Sequence, residues 1–399
     1  MVTNGYKSND DSTHYSIEGI HYSTNKPVRI EITDEFISDI CDIPFLQNQI
    51  KSLYISPGLI DNQINGYAGI DFSGRNLKEN DLLTAAKAIW SEGVTTFIPT
   101  LITNSHESIV KNLTILDRAC RDNEQLNNSI PGFHLEGPYL SPVEGYRGCH
   151  PQQYMRNPSF KEFSEYQKAA GGSIIQITVA PEIEGAMEFI KECTNNGILV
   201  AIGHSNASPA QINEAVENGA TISTHLGNGC ANFIHRHNNP IWPQLANEKL
   251  IPSIIADGHH LTADELKVFC KVKGTDNIIL TSDVIYLAGM APGKYSFLGA
   301  EVLLKNDGML INEELNCLAG ASFPLKKGVE NIMKLAGYSL SDAVKMASEN
   351  VARVYGLNST GTLEKGKRAD IILFEMNENQ IHINKTILNG KVVYEQTNN

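Results

Sequence analysis

From Pro57 onward the chain repeats one pattern eight times: an apolar run of strand length, then a stretch with helical periodicity. The runs are Gly58 to Asn65, Thr95 to Ile102, Ile130 to Glu136, Ile174 to Ala180, Ile198 to His204, Ala220 to His225, Ile251 to Asp257 and Asn277 to Asp283. A strand that is apolar throughout, rather than at every second residue, is covered on both faces. Such strands alternating with helices predict a parallel sheet, and eight of them predict an α/β fold closed as a (β/α)8 TIM-type barrel over residues 57–356.

The intervening helices are marked at their ends. Ser208-Pro209-Ala210-Gln211 sets a capping Ser, a Pro at the first helical position and a Gln three residues beyond the cap, and Asn218-Gly219 ends that helix. Thr262-Ala263-Asp264-Glu265 opens another that ends near Gly274. Ser339 to Gly356 reads as one more helix, with Leu340, Ala343, Val344, Ala347 and Val351 on its apolar face.

Both ends of the chain read differently. Val28-Arg29-Ile30-Glu31-Ile32 alternates with period two, and the stretch from Gly361 to Leu373 returns to short strands and turns. Residues 1–56 and 357–399 are therefore expected to pair into a small β-sandwich domain beside the barrel. A chain of 399 residues has room for one large and one small domain.

Composition narrows the setting. No apolar run approaches the roughly 18 residues of a membrane span, and Met1 to Asp11 is polar, without the features of a signal peptide, so a cytoplasmic protein with no membrane partner is expected. Seven scattered cysteines without a Cys-x-x-Cys pair indicate neither a disulfide framework nor a thiolate zinc site. A net charge of -13 disfavours nucleic acid as a partner, and an anionic substrate would need a local patch of positive charge.

In barrels of this kind the chemistry sits at the carboxyl ends of the strands. Here those ends are polar. Gln63 and Asn65 close the first run, Glu136 the third, His204 the fifth, His225 the sixth and Asp283 the eighth, while Asp257 and His260 follow the seventh. The third ends in Gly132-Phe133-His134-Leu135-Glu136-Gly137-Pro138, an apolar strand that presents a carboxylate and then breaks. A single such histidine is more often a satisfied structural residue, but shared placement at strand ends points to a site. Two imidazoles and one carboxylate leave a fourth position open on a tetrahedral divalent ion, the arrangement of a catalytic metal centre. Glu136, His204 and His225 are the expected ligands of one ion, zinc, with iron or another divalent ion as the alternative. Asp283 is the expected general base and acid, taking a proton from water and returning it to a leaving amine.

At these residues the chain resembles the amidohydrolase superfamily, and within it the N-acetylglucosamine-6-phosphate deacetylase family, from about Ser56 to Glu375. The match is carried by Pro57-Gly58-Leu59-Ile60-Asp61 through Gly66, Gly93-Val94-Thr95-Thr96, His134 to Pro138, Ala180-Pro181-Glu182, Gly203 to Asn206, Thr224-His225-Leu226, Ile255-Ala256-Asp257-Gly258 and Ala369-Asp370. The resemblance implies the same ligands and the same acid/base. It further implies substrate contacts from Cys149 and His150, Asn228 and Gly229, Arg236, Asp257 to His260, and Leu318, Ala319 and Gly320, and a homodimer.

Two departures stand out. Where many superfamily members carry His-x-His on the first strand, this chain has Gln63-Ile64-Asn65, which implies one metal rather than two and leaves Gln63 and Asn65 behind the site. Arg236 aligns with the family's phosphate-binding arginine, but its surroundings from Phe233 to Trp242 do not follow the usual pattern. The implied reaction is hydrolysis of the N-acetyl group of N-acetylglucosamine 6-phosphate to glucosamine 6-phosphate and acetate. The alternatives are an unphosphorylated or differently decorated N-acetyl sugar, a cyclic amide or an N-acyl amino acid, and a catalytically inactive sugar-binding barrel. The intact Glu136, His204, His225 and Asp283 speak against the last.

Overall fold

The computed structural model describes residues 13–44 and 53–397. Residues 1–12, 45–52 and 398–399, which the sequence reading assigns to the small domain, lie outside these.

All eight apolar runs form strands. In chain order they are Leu59–Ile64, Val94–Ile102, Phe133–Glu136, Ile174–Val179, Leu199–Ile202, Ile222–Ser223, Ile251–Ile255 and Ile279–Thr281. They make one parallel sheet in sequence order. The first and last strands meet at their carboxyl ends. There the N–H of Asp283 donates to Gln63 O at 3.1 Å, that of Asn65 donates to Val284 O at 2.8 Å, and Ile64 bridges Val284. Closure is therefore made at the same rim that carries the polar strand ends.

The capped helices form as their sequences specify. Ser208 and Thr262 each make a reciprocal capping box, with Gln211 and Glu265, at the starts of Pro209–Glu217 and Ala263–Lys273. The stretch from Ser339 to Gly356 is not one helix but two, Leu340–Met346 and Glu349–Val354. The break has a tertiary cause: the carbonyl of Ala347 accepts from the N–H of Ile60 on the first barrel strand at 2.8 Å, so it is withdrawn from the helix. Ser348 turns its hydroxyl back to Val344 O at 2.6 Å. The expected apolar face survives the break, with Ala343, Val344, Ala347 and Val351 buried.

The chain ends build a separate seven-stranded sheet. Its spatial order is Lys391–Glu395, Gln380–Leu388, Ile371–Asn377, Tyr54–Pro57, His14–His21, Pro27–Thr33 and Phe36–Asp42. Only the Tyr54–Pro57 to His14–His21 pairing is parallel. The far end of the sheet curls back, with Ile37 N bonded to Lys367 O and Ala369 N to Glu35 O. Ile17, Ile30, Ile32, Ile37, Ile55, Ile371, Leu373 and Ile387 fill a core of their own inside it. On the opposite face Ile372, Phe374, Ile381 and Ile383 join the barrel's core.

One element has no counterpart in the sequence reading. Between the last barrel strand and the helix Leu325–Asn331 lies a four-stranded antiparallel sheet: Gly293–Phe297, Ala300–Leu304, Leu310–Asn312 and Cys317–Leu318. It is fastened to the barrel rim by Ala321, which exchanges backbone hydrogen bonds with Asp283 and Ile285, both at 3.1 Å. This sheet brings Leu318, Ala319 and Gly320 over the barrel mouth.

Candidate metal centre and active site

The site is built by a repeated backbone turn. His204, His225 and Asp283 each lie two residues beyond the end of a barrel strand, and each has a positive φ, of 48°, 30° and 51°. Side chains other than glycine seldom adopt this left-handed conformation, and such residues cluster where a site needs a side chain re-aimed. Glu136 instead ends its strand, and the turn follows at Gly137, φ 88°, where a Cβ would run into the Thr103 hydroxyl. In each case the turn directs a polar side chain into the barrel mouth.

There the three expected ligands converge. Their donor atoms lie within 4.8 Å of one another, and all three residues are buried. Oε1 of Glu136 is 3.0 Å from Nε2 of His225 and 3.5 Å from Nε2 of His204, while Oε2 is 3.8 Å from Nε2 of His150. His204 donates from Nδ1 to the carbonyl of Tyr146 at 3.0 Å, which fixes its ring with Nε2 toward Glu136. Behind His204, Glu182 accepts from the Ser205 hydroxyl at 2.7 Å and from Asn206 N, pinning the turn. Ala180-Pro181-Glu182 is part of the family signature, but its task at the site is not legible without the fold.

Electrostatics follow from this packing. Burial raises the Glu136 carboxyl, but hydrogen bonds from His204 and His225 outweigh it and hold the group well below its ordinary value. Burial lowers His225, and the hydrogen bond and charge of Glu136 reverse that, so its imidazole is raised. His150 is pushed down to about 3, by burial first and then by His204, so it is neutral at physiological pH. Its Nδ1 shares a hydrogen bond with Thr103 Oγ1 at 2.9 Å. His134, two residues before Glu136 on the strand, is a structural histidine: it is buried between Thr100 and Thr178, its ring nitrogens 3.3 and 2.8 Å from their hydroxyls.

Asp283 faces this group from the other side of the mouth. Its Oδ1 accepts from Gln63 Nε2 at 2.9 Å and from Asn65 Nδ2 at 2.7 Å. Burial, and next the charge of Glu136, raise its carboxyl above the usual range.

These residues open on a cavity of about 460 Å³, within the range of small-molecule sites. Asn65, Glu136, His204, His225 and Asp283 line it, as do the expected contacts Cys149, His150, Asn228, Gly229, His260, Leu318, Ala319 and Gly320. Asp257 stands behind the lining. Its Oδ1 accepts from the N–H groups of His259 and His260, and its Oδ2 is 2.8 Å from Nδ1 of His260. His259 turns away, stacking on Phe323 and bonding to Asp307 O. Arg236 is not among the lining residues. It is exposed on the segment that follows Asn228 and Gly229, where its carbonyl accepts from Trp242 Nε1 at 3.1 Å. Sequence reading missed the apolar side of the cavity, Ile285, Phe297 and Leu298, because the inserted sheet that supplies much of it was not foreseen.

The donor set suits a divalent ion of zinc or iron type: two imidazole nitrogens and one carboxylate oxygen, buried together and facing a cavity. Comparison with known proteins gives the family. Residues 54–393 match the Amidohydrolase family. An N-acetylglucosamine-6-phosphate deacetylase of Caenorhabditis elegans is 32% identical over 88% of this chain and 84% of its own. An N-acetylgalactosamine-6-phosphate deacetylase of Escherichia coli O157:H7 is 28% identical over 91% and 94%. The structure of N-acetyl-D-glucosamine-6-phosphate deacetylase from Mycobacterium smegmatis, in complex with N-acetyl-D-glucosamine-6-phosphate, superposes with a TM-score of 0.85 at 25% identity, covering 95% of this chain and 99% of that one. With its barrel, its strand-end donor set and a match running through most of its length, this chain belongs to the amidohydrolase family.

Proposed function

We propose that this protein is a metal-dependent deacetylase that hydrolyses the acetamide of an N-acetyl hexosamine 6-phosphate, N-acetylglucosamine 6-phosphate first, to the free amine and acetate. The observation that carries the reading is the buried Glu136, His204 and His225 trio set opposite Asp283 in one cavity at the carboxyl rim of the barrel. That trio would hold a divalent ion, which would supply the Lewis acidity that makes water a competent nucleophile near neutral pH. Asp283 takes the proton that the attacking water releases and delivers it to the amine nitrogen as the C–N bond breaks. Gln63 and Asn65 hold the carboxylate at Oδ1 and so aim Oδ2. His150, neutral and tied to Thr103, stands beside Glu136 as a hydrogen-bonding group for the acetamide. Asn228, Gly229, His260 and Leu318 to Gly320 would hold the sugar.

A second reading has a specific observation behind it. The cavity lining holds Glu136, Glu265 and Asp283 but no lysine or arginine among the described residues, and Arg236 is exposed outside it. This favours a neutral sugar unless the segment from Ala231 to Trp242, with Arg236, is brought over a cavity, its own or a second copy's. Phe233 is 96% exposed on that segment and Trp242 is also exposed, an apolar surface of the sort a partner subunit covers. It supports the proposed homodimer. Zinc is the proposed ion, on the chemistry of the donors. A cytoplasmic location is proposed on the seven free thiols.

Acetate release should be measured on the purified, metal-analysed protein with N-acetylglucosamine and N-acetylgalactosamine, each with and without the 6-phosphate. The proposal expects the 6-phosphates to be turned over with the higher kcat/KM. Equal values for phosphorylated and plain sugars would support the neutral-sugar reading, and no acetate from any of the four would reject both.

A further inference from the structure

Two cysteines meet across the cavity. Cys149 lies between Gly148 and His150 in the segment that follows Glu136, and Cys317 begins the short strand Cys317–Leu318 of the inserted sheet. Their Sγ atoms are 3.3 Å apart, within hydrogen-bond distance, and Leu318 O, 3.6 Å from Cys149 Sγ, is the alternative acceptor for the single Cys149 thiol proton. All seven cysteines are free thiols, and this is the pair that the fold of the described residues sets sulfur to sulfur. Both residues line the cavity and neither is fully buried, so a small solute can reach them.

We propose that Cys149 and Cys317 are an oxidation site, closing to an intramolecular disulfide that joins two walls of the active-site cavity. A disulfide spans about 2.0 Å, so the sulfurs must approach by roughly an ångström. The oxidant is a peroxide. The Cys317 sulfur attacks one oxygen of hydrogen peroxide, the O–O bond breaks, and hydroxide leaves as water with the thiol proton, giving a sulfenic acid. The Cys149 sulfur then attacks that sulfur; the S–S bond forms, the S–O bond breaks, and a second water leaves with the Cys149 proton. Two thiols are oxidised and one peroxide is reduced to two waters, and a small thiol reverses the change by exchange. The hydrogen bond from Cys149 lowers the Cys317 thiol from its ordinary value, against burial and with help from Arg147, which suits Cys317 as the first nucleophile.

The bond would act on the site through its two walls. One carries Gly148, packed on the ring of His204, and His150 beside Glu136. The other carries Leu318, Ala319 and Gly320, which is tied through Ala321 to Asp283. A covalent link between them restricts the opening that lets sugar in and product out, so oxidation lowers turnover. That consequence rests on the deacetylase reading; the bond itself does not.

The test uses the full-length, metal-loaded protein, exposed to hydrogen peroxide and then digested without reductant for mass spectrometry. A linked pair of peptides containing Cys149 and Cys317 is expected, absent in Cys317→Ser and removed by dithiothreitol. Acetate release should fall several-fold on oxidation, recover with dithiothreitol, and be spared in Cys317→Ser. Oxidation of the exposed Cys41 while Cys149 and Cys317 stay free thiols would overturn the site. Equal peroxide inactivation of Cys317→Ser, or a link that leaves acetate release unchanged, would overturn its control of turnover. A link formed on oxidation of a protein that, before oxidation, releases no acetate from any sugar would leave the oxidation site standing and reject the deacetylase reading instead.

Discussion

Asn65 Nδ2 lies 2.7 Å from Oδ1 of Asp283 and, with Gln63 Nε2 at 2.9 Å, saturates that oxygen. Both residues lie at the end of the first barrel strand, and their amides serve a carboxylate at the end of the last.

That relationship separates two substitutions. Asp283→Asn keeps the shape but cannot accept a proton, so kcat should fall by about 10²- to 10⁴-fold while bound metal stays constant. Asn65→Ala removes one charge-assisted hydrogen bond, worth about 1.5–3 kcal/mol, so a loss of roughly 10- to 100-fold is expected with the acid/base still present. Steady-state kinetics with metal analysis checks both. Near-normal turnover in Asp283→Asn would move the base elsewhere, to His150 or His260.

Metal retention should depend on His204 and His225 together. Replacing either with Ala leaves two protein ligands on an open site, which hold a divalent ion poorly, so metal and activity should be lost in step. Elemental analysis after dialysis is the readout. Gln63→Ala should keep its metal, and full occupancy in both histidine variants would remove the trio from consideration.

Arg236 offers the sharpest test of the substrate. A guanidinium binds phosphate in bidentate fashion, so Arg236→Ala should lower kcat/KM for the 6-phosphate by at least about tenfold and leave the plain sugar nearly unaffected. If both substrates respond alike, Arg236 does not read the phosphate.

The buried Asp61 predicts a pH dependence of stability. Burial pushes its carboxyl up to about 6, and hydrogen bonds from Ser282, Gln63 and Thr281 offset this only in part. A folded-state value above the unfolded one means that folding is favoured by this group at low pH. That contribution is complete below pH 4 and is lost as pH rises through about 6, amounting to about 3 kcal/mol. In Asp61→Asn the thermal midpoint should lose this component of its change between pH 4 and pH 7. An unchanged pH profile would show that Asp61 ionises at an ordinary pH.

The barrel, its polar strand ends and the residues that converge there were legible in the sequence because each rests on local physics. A strand buried on both faces must be apolar along its length, which fixed all eight strands, and capping boxes at Ser208 and Thr262 fixed two helix starts. Polar residues at the ends of such runs are costly to bury without a purpose, so Glu136, His204, His225 and Asp283 stood out. The tertiary structure decided what depends on distant partners. Only the fold shows Ile60 taking the Ala347 carbonyl and splitting a helix whose apolar face is continuous in sequence. The left-handed turns at His204, His225 and Asp283 carry no residue signature, since none is a glycine, yet they aim the site. The inserted sheet, the Cys149–Cys317 contact and the exposed position of Arg236 belong to the same class. Each is set by which segments pack together across the barrel mouth, and periodicity along the chain does not encode that.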